Sequence, residues 1–103
     1  SAVAACATIA TDGAACAAVE QCITDEGRAE IIASPGLIAY EVYRTRKSPP
    51  GYVVLHRWRQ LTDLEHFRAG TSRRQEQRLA ELGTTLERFT GVLAATYPVD
   101  DTV

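Results

Sequence analysis

The sequence lacks the short motifs with which many enzymes hold a metal ion or a nucleotide or build a serine nucleophile. His56 and His66 lie ten positions apart, and there is neither an HExxH pattern nor paired-cysteine spacing. No glycine-rich phosphate loop and no GxSxG elbow are present. If the protein is an enzyme, we therefore expect it to work without a metal and without a built-in cofactor.

Long apolar runs are also missing, since no stretch is long enough to span a bilayer. The alanine-rich start has no basic region and is unlike a signal peptide. The three cysteines are odd in number and include no CxxC pair, which predicts free thiols in small core sites. Together these features predict a cytoplasmic protein.

Charge of one sign is not in excess either, because the net charge is -2. Two short basic clusters, at 44–47 and 73–78, are interpreted as solvated or salt-bridged faces. We therefore expect no nucleic-acid partner and no membrane partner. A chain of 103 residues is expected to form one domain over residues 1–103.

The sequence does contain four strand patterns, with β-branched and aromatic residues bounded by turn signals. They lie at 2–10, 37–45, 51–58 and 91–97. The second and third are joined by a short loop containing Pro49 and Pro50, which predicts an antiparallel hairpin. Residues from Pro98 onward are predicted to form a polar tail.

Helical patterns fill the remaining segments. A helix that Asp12 can cap follows the first strand and fades at the breaker Ser34-Pro35-Gly36. Two S/T-x-x-E/Q capping boxes, at 62–65 and 72–75, predict a short helix and then a longer one with an apolar stripe that reaches Phe89. The order is that of a ferredoxin-like split βαβ, an α+β fold on a four-stranded antiparallel sheet.

The third predicted strand is apolar on both faces, and this predicts a dimer. Tyr52, Val54 and Trp58 share one face, whereas Val53 and Leu55 share the other. Right-handed crossovers place the helices on one face of the sheet only. The other face would then expose a large apolar patch. We therefore expect a homodimer in which two sheets pack together as a barrel.

Three segments carry a family resemblance: residues 34–44, the strand end His56-Arg57-Trp58 and the helical segment 64–67, which reads Leu-Glu-His-Phe. In these segments, and over roughly residues 3 to 98, the chain resembles the antibiotic biosynthesis monooxygenase family of dimeric α+β barrels. Members with this skeleton include quinone-forming oxygenases, haem-degrading enzymes and signal-molecule processing enzymes.

The functional resemblance is to the small quinone-forming monooxygenases of aromatic polyketide pathways. There a tryptophan at the end of the third strand and an arginine on the long helix contact the substrate, and Trp58 and Arg78 match them. Val54 and Leu64 stand where that subgroup has an asparagine and a tyrosine. The structural alternatives are a core tryptophan for Trp58 and a surface ion pair for Arg78.

The resemblance implies no haem cofactor, with molecular oxygen as co-substrate. Haem-degrading members use an asparagine, a tryptophan and a histidine at positions where this chain has Cys6 or Ala5, Phe67 and Gln77. None of the three matches.

Five further residues are candidates for the site. His56 shares the parity of Trp58 and titrates in the range of a general base. His66 and Phe67 would line the pocket from the short helix, and Tyr40 and Tyr52 would donate hydrogen bonds to substrate oxygens. Each also has a structural interpretation: His66 as solvent-exposed, and the other four as packing residues.

The expected activity is cofactor-independent oxidation of a polycyclic aromatic intermediate, an anthrone or phenol, to a quinone. Such a substrate can itself donate an electron to dioxygen once it is deprotonated, so the protein supplies a dry pocket and a base or an enolate stabiliser. Two alternatives remain open: a non-oxidative polyketide cyclase or isomerase, and a hydrophobic-ligand-binding protein on the same scaffold.

Overall fold

A computed structural model describes residues 1–99 of the chain and contains four strands and four helices. In chain order these are β1 Val3–Ala10, α1 Cys16–Thr24, α2 Arg28–Ile32, β2 Leu37–Arg44, β3 Tyr52–Trp58, α3 Leu61–Ala69, α4 Thr71–Glu81 and β4 Thr85–Val92. The predicted tail extends beyond the described residues, as does the predicted domain over residues 1–103. None of the helices within residues 1–99 has the length and apolar character needed to cross a bilayer.

The sheet is antiparallel throughout, with strand order β2-β3-β1-β4. This is the ferredoxin-like α+β fold that the order of elements predicts. Alternation along β3 is as expected: Tyr52, Val54, His56 and Trp58 are buried, whereas Arg57 is exposed. The pairing register then shows which face of the sheet each residue of the neighbouring strands belongs to. Residues that lie opposite each other in a strand pair are on the same face.

The core between sheet and helices consists of two clusters. The first contains Ile9, Val19, Cys22, Ile23, Tyr52, Val54 and Leu79. The second contains Val3, Ala5, Ile31, Trp58, Leu64 and Phe67. Half-buried Tyr40 packs against both, so it lies where the clusters meet. Trp58 is 0% exposed, and at about 25 cal/mol per Å² its burial makes it a main contributor to the second cluster.

The fourth strand is the main correction to the sequence prediction. It covers Thr85–Val92 rather than 91–97, and α4 ends at Glu81 rather than near Phe89. Gly83, with φ of 77°, ends the helix in the left-handed conformation, and β-branched Thr84 and Thr85 follow. Leu86 therefore reaches the core from a strand, whereas Phe89 lies on the opposite face.

Smaller corrections concern the helix starts. The first helix is broken into α1 and α2 by a turn at 25–27, where Asp25 and Gly27 are poor helix formers. Asp12 accepts a hydrogen bond from the Ala15 N–H (2.9 Å) in the turn before α1, but Ala15 is the N-cap residue and no side chain caps that helix, so the predicted cap is wrong. The two capping boxes are wrong, because Gln60 and Gly70 occupy the N-cap positions and no side chain caps either helix.

The face of the sheet away from the helices has no cover within residues 1–99. One row across it comprises Glu41, Leu55, Cys6 and Phe89. A second comprises Tyr43, Val53, Thr8 and Glu87. We refer to these eight residues as the open face. Tyr43 is 52% exposed and Phe89 56%, so large apolar groups reach solvent there.

Candidate functional site

The candidate site is built on a buried hydrogen bond at the end of β3. His56 and Trp58 are two positions apart on a strand and therefore point to the same face. The Trp58 indole N–H donates to Nδ1 of His56 over 2.6 Å, and both side chains are buried. An imidazole that accepts at Nδ1 carries its proton on Nε2 when it is neutral. The hydrogen bond thus selects one tautomer of His56.

Two aromatic rings from other elements enclose this pair. Tyr40 of β2 lies opposite His56 in the sheet, and their rings stack with centroids 5.7 Å apart. Phe67 of α3 contacts both partners, with centroid distances of 5.4 Å to His56 and 4.9 Å to Trp58. The surroundings of the imidazole are therefore largely apolar, which disfavours its charged form.

The pKa of His56 falls from 6.5 to about 4, chiefly because burial penalises the imidazolium and secondarily because Arg68 is nearby. His56 is therefore neutral at pH 7. Its Nδ1 is already occupied by the Trp58 N–H, and its Nε2 carries the proton. The residue is poorly suited to abstract a proton and well suited to donate a hydrogen bond, as a neutral electrophilic histidine does.

Within residues 1–99, Nε2 of His56 makes no hydrogen bond. Every fully buried polar side-chain atom of these residues does have a hydrogen-bond partner. Nε2 therefore retains some accessible surface. His56 lines a small interior cavity of about 30 Å³, together with Ala5, Phe67, Gln75 and Leu79. A space of that size admits water but not an aromatic ring.

Gln75 of α4 separates the interior cavity from a wider recess. Its side-chain amide donates to the Tyr40 hydroxyl over 3.2 Å, and burial raises the pKa of that phenol, which stays neutral. On its other side lies a recess of about 200 Å³ that is also lined by Cys22, Glu26 and Arg78. Among the described residues, Gln75 is the one that lines both spaces.

Arg78 lies at the mouth of the outer recess rather than against His56. Its side chain is 44% exposed and pairs with Glu26 and Glu81, each at 3.7 Å. Such exposed pairs contribute little to stability. The arginine is thus placed where it can meet an entering ligand.

A different arginine reaches the interior cavity. Arg68, in the last turn of α3, lines it beside His56 and donates to the Thr90 hydroxyl of β4 over 2.5 Å. Arg88 and Glu76 line the same cavity and pair with each other at 2.5 Å. The cavity lining therefore combines apolar side chains such as Phe67 with charged ones such as Arg68.

The remaining predicted residues lie elsewhere. His66 is on the exposed side of α3. Tyr52 is 3% exposed, belongs to the other core cluster and donates through its hydroxyl to the Cys16 carbonyl over 3.3 Å. The structure thus brings together Trp58, His56, Phe67 and Tyr40, and it leaves Arg78, His66 and Tyr52 apart from them.

Sequence reasoning missed Gln75 and Arg68. Gln75 was interpreted as part of a capping box, although its four-residue separation from Leu79 places both on one helix face. Arg68 gave no signal, because its partner Thr90 lies on a strand that the pattern placed elsewhere. Arg68 and Thr90 could have been recognised as partners only if β4 had been placed correctly.

Other concavities offer less chemistry. A groove of about 470 Å³ along the edge of β2 is lined mainly by aliphatic residues and contains no carboxylate and no histidine. Within the described part of the chain, no group of three or more histidine, cysteine or carboxylate side chains is close enough to hold a metal ion.

The sheet order and the enclosed aromatic cluster define a ferredoxin-like α+β protein with a small cavity between sheet and helices. The sequence matches the antibiotic biosynthesis monooxygenase family over residues 3–79, and the chain belongs to that family. No curated protein matches the sequence.

Solved structures from several organisms share the fold. A variant of SnoaB, a cofactor-independent oxygenase from Streptomyces nogalater, is 20% identical and matches with a TM-score of 0.80 over 95% of this chain and 98% of its own. A candidate family member from Deinococcus radiodurans gives 0.83 at 16% identity, over the same shares of the two chains. Rv0793 from Mycobacterium tuberculosis gives 0.75 at 19% identity, over 100% of both chains.

Proposed function

We propose that this protein is a cofactor-independent monooxygenase that oxidises an anthrone- or phenol-type aromatic intermediate to a quinone. The observation that carries the proposal is the buried Trp58–His56 hydrogen bond, which leaves a neutral Nε2–H on a histidine that lines the cavity. The family match and the likeness to the cofactor-independent oxygenase SnoaB support it.

The chemistry begins with a substrate anion. An anthrone loses a proton to give an enolate, and the enolate transfers one electron to dioxygen. The resulting radical and superoxide combine into a peroxide, which takes up a proton and loses water to leave the new carbonyl. One oxygen atom thus enters the product and the other leaves as water.

In this scheme His56 acts by donating a hydrogen bond rather than by taking the proton. Its Nε2–H stabilises the enolate oxygen, because a fixed donor interacts strongly with developing negative charge once the bound substrate has displaced water. Trp58 is a positioning residue that fixes the tautomer. Phe67 and Tyr40 hold the ring by packing and exclude water.

The substrate enters through the outer recess. The interior cavity of about 30 Å³ is too small for a ring, whereas the recess of about 200 Å³ is adjacent. Displacement of Gln75 from Tyr40 joins the two into a space near the lower limit of small-molecule pockets, about 300 Å³. Such a space suits a flat molecule of few rings, and Arg78 lies at its entrance.

The protein is further proposed to act as a homodimer through the open face, where Tyr43 and Phe89 are exposed beside the half-buried Val53 and Leu55. The site lies on the opposite side of the sheet, within one subunit. A dimer of this kind would therefore support the sheet without adding residues to the cavity.

Oxygen consumption by the purified, chelator-treated protein tests the proposed activity. Dithranol and a small panel of naphthols serve as substrates, with and without protein, and products are separated by chromatography. We expect protein-dependent oxygen uptake and formation of the corresponding quinone. Absence of uptake across a panel whose members do bind would overturn the oxygenase proposal.

The same donor at a dry cavity would also serve a cyclase or isomerase, since an enolate is common to these reactions. Incubation under nitrogen separates the two classes. Product that forms equally well without oxygen identifies the non-oxidative enzyme, and binding without any product identifies a ligand-binding protein.

A further inference from the structure

Arg68 differs from every other basic side chain of the protein. The chain has eleven lysines and arginines, and the other ten are exposed, whereas Arg68 is half-buried. A guanidinium loses hydration when it is partly buried and requires compensation from a partner. The groups around Arg68 therefore indicate which class of ligand the guanidinium binds.

The partner that compensates a buried arginine is usually a carboxylate, and within residues 1–99 none lies at ion-pair distance from Arg68. Among the described residues, its one side-chain hydrogen bond is to the neutral Thr90 hydroxyl. The neighbouring carboxylate of Glu76 is already bound to Arg88. A guanidinium has five N–H donors, so most of those of Arg68 remain available to a ligand.

Arg68 also faces the right space. It lines the interior cavity that His56 lines, and its charge acts on the imidazole strongly enough to help lower the pKa of that residue. The cavity lining thus includes a neutral N–H donor, His56, and a cation, Arg68. Its remaining charges, Arg88 and Glu76, offset each other.

We infer that Arg68 binds the ionised oxygen of the substrate, so that the ligand occupies the cavity as an enolate or phenolate anion held between the Arg68 guanidinium and the His56 Nε2–H. The inference deepens the proposed function and rests on it for the identity of the ligand. It also supplies what the site otherwise lacks, a means of ionising the substrate. A cation beside an acidic hydroxyl lowers its pKa, and the released proton passes to solvent.

Binding of a matched pair of probes tests this role. The first probe is 2,4-dinitro-1-naphthol, which is ionised at neutral pH, and the second is its uncharged O-methyl ether. We expect the wild-type protein to prefer the naphtholate by about tenfold or more, as for a charge-assisted hydrogen bond. Arg68→Gln should abolish that preference while leaving affinity for the ether unchanged.

Arg73→Gln is the matched control, because Arg73 is an exposed arginine on the adjacent helix with no ion pair within residues 1–99. It should keep the wild-type preference. Arg68→Met retains an unbranched apolar stem and replaces the glutamine variant if that variant does not fold. An unchanged preference in the folded Arg68 variant, or equal binding of both probes by the wild type, would overturn the inference.

The two proposals fail separately. Loss of the naphtholate preference in Arg68→Gln without any oxygen uptake by the wild type would leave the anion site standing and remove the oxygenase. Oxygen uptake by the wild type, together with an unchanged naphtholate preference in Arg68→Gln, would leave the oxygenase standing and remove the anion site.

Discussion

At the scale of the residue, Trp58 combines two roles that are usually separate. It is a fully buried core side chain, and its N–H also holds the His56 imidazole in one tautomer. Replacement by alanine would leave a large cavity at a cost of about 3–5 kcal/mol, so loss of activity in that variant would be uninformative. Phenylalanine better separates the roles, because it keeps a buried aromatic ring and removes the donor together with only part of the ring volume.

We predict that Trp58→Phe releases the His56 tautomer. Loss of the hydrogen bond should destabilise the protein by about 1–2 kcal/mol and move the pKa of His56 upward, since the neutral form loses its donor. A mixture of tautomers leaves the Nε2–H in place in only part of the molecules, so the rate of oxygen uptake should fall by up to about twofold. The ¹⁵N chemical shifts of the imidazole report the tautomer directly.

Val19→Ala serves as the control for stability, because Val19 is fully buried in the other core cluster. It should destabilise by on the order of 2 kcal/mol without changing the His56 spectrum or the rate. A Trp58→Phe protein whose imidazole signals match those of the wild type would show that the indole does not select the tautomer.

His56 also predicts how stability depends on pH. Its pKa is about 4 in the folded protein and 6.5 when exposed, so the unfolded chain binds a proton first as the pH falls. The stability contributed by neutral His56 is complete above pH 6.5 and is lost progressively down to about pH 4. The loss amounts to about 3 kcal/mol. Urea denaturation at several pH values measures it.

The comparison that isolates this effect uses both histidines. His56→Gln should remove the pH-dependent component of the free energy of unfolding. His66→Gln should retain it, since His66 is exposed on α3. Arg68 and the Glu76–Arg88 pair line the same cavity from α3, α4 and β4 and are present in all three proteins. Equal pH dependence in the wild type and the His56 variant would contradict the prediction.

Strand parity sufficed to predict that His56 and Trp58 share a face. Their contacts with Phe67 and Tyr40 depend on how helices pack on the sheet, which a one-dimensional pattern does not contain. The charge state of His56 was inaccessible for the same reason, because its pKa follows from burial and from Arg68.

At the scale of the element, the sequence predicted the order of strands and helices, and the largest error lies at the α4–β4 junction. Leu79, Leu82, Leu86 and Phe89 repeat at three- and four-residue spacing and indicate a helix. A strand also accommodates Leu86 and Phe89, because their odd separation puts them on opposite faces. The helical stop at Gly83 was the signal that decides between the two.

A pair of glycines tests how tightly β2 and α3 are joined. Gly36 and Gly83 have φ of 81° and 77°, so alanine pays a similar backbone penalty of about 1–2 kcal/mol at either position. At Gly83 an added Cβ meets nothing within 4 Å, whereas at Gly36 it would lie 2.1 Å from the Asp63 carboxylate of α3. We predict that Gly36→Ala is the more destabilising by at least about 1 kcal/mol.

Denaturation midpoints of the two variants measure the difference. Gly36→Ala should also perturb the site, because the added Cβ would displace Asp63, which lies on the same helix as Phe67. Equal stabilities would mean that Asp63 rotates away without cost and that α3 is not fixed through this contact.

At the scale of the whole molecule, the sheet separates two functions. The helix-covered face holds the candidate site, and the open face exposes Tyr43 and Phe89 among half-buried apolar residues. The sequence of β3 places apolar residues on both faces of the strand. The division of the sheet into a helix-covered face and an open face could therefore be predicted. The small volume of the closed cavity was not, since it depends on the packing of Gln75 and Phe67.

We predict that Leu55→Glu converts a homodimer into a folded monomer. Leu55 lies in the middle of the open face, between Glu41 and Cys6 in its row, so the new carboxylate would be buried without a cation in a sheet-to-sheet interface. Leu61→Glu is the matched control, because Leu61 is 47% exposed at the start of α3, away from that face. Sedimentation analysis should give a dimer for the wild type and for this control.

The monomeric variant also tests whether the site belongs to one subunit. Leu55 and His56 are consecutive on β3 and point to opposite faces, so a charge at 55 leaves the Trp58–His56 pair and the Arg68 cavity in place. The monomer should therefore still prefer the naphtholate over its methyl ether. If dissociation abolished that preference while the variant remained folded, the cavity would depend on the partner for its shape. A monomeric wild type would refute the dimer and leave the open face to another partner.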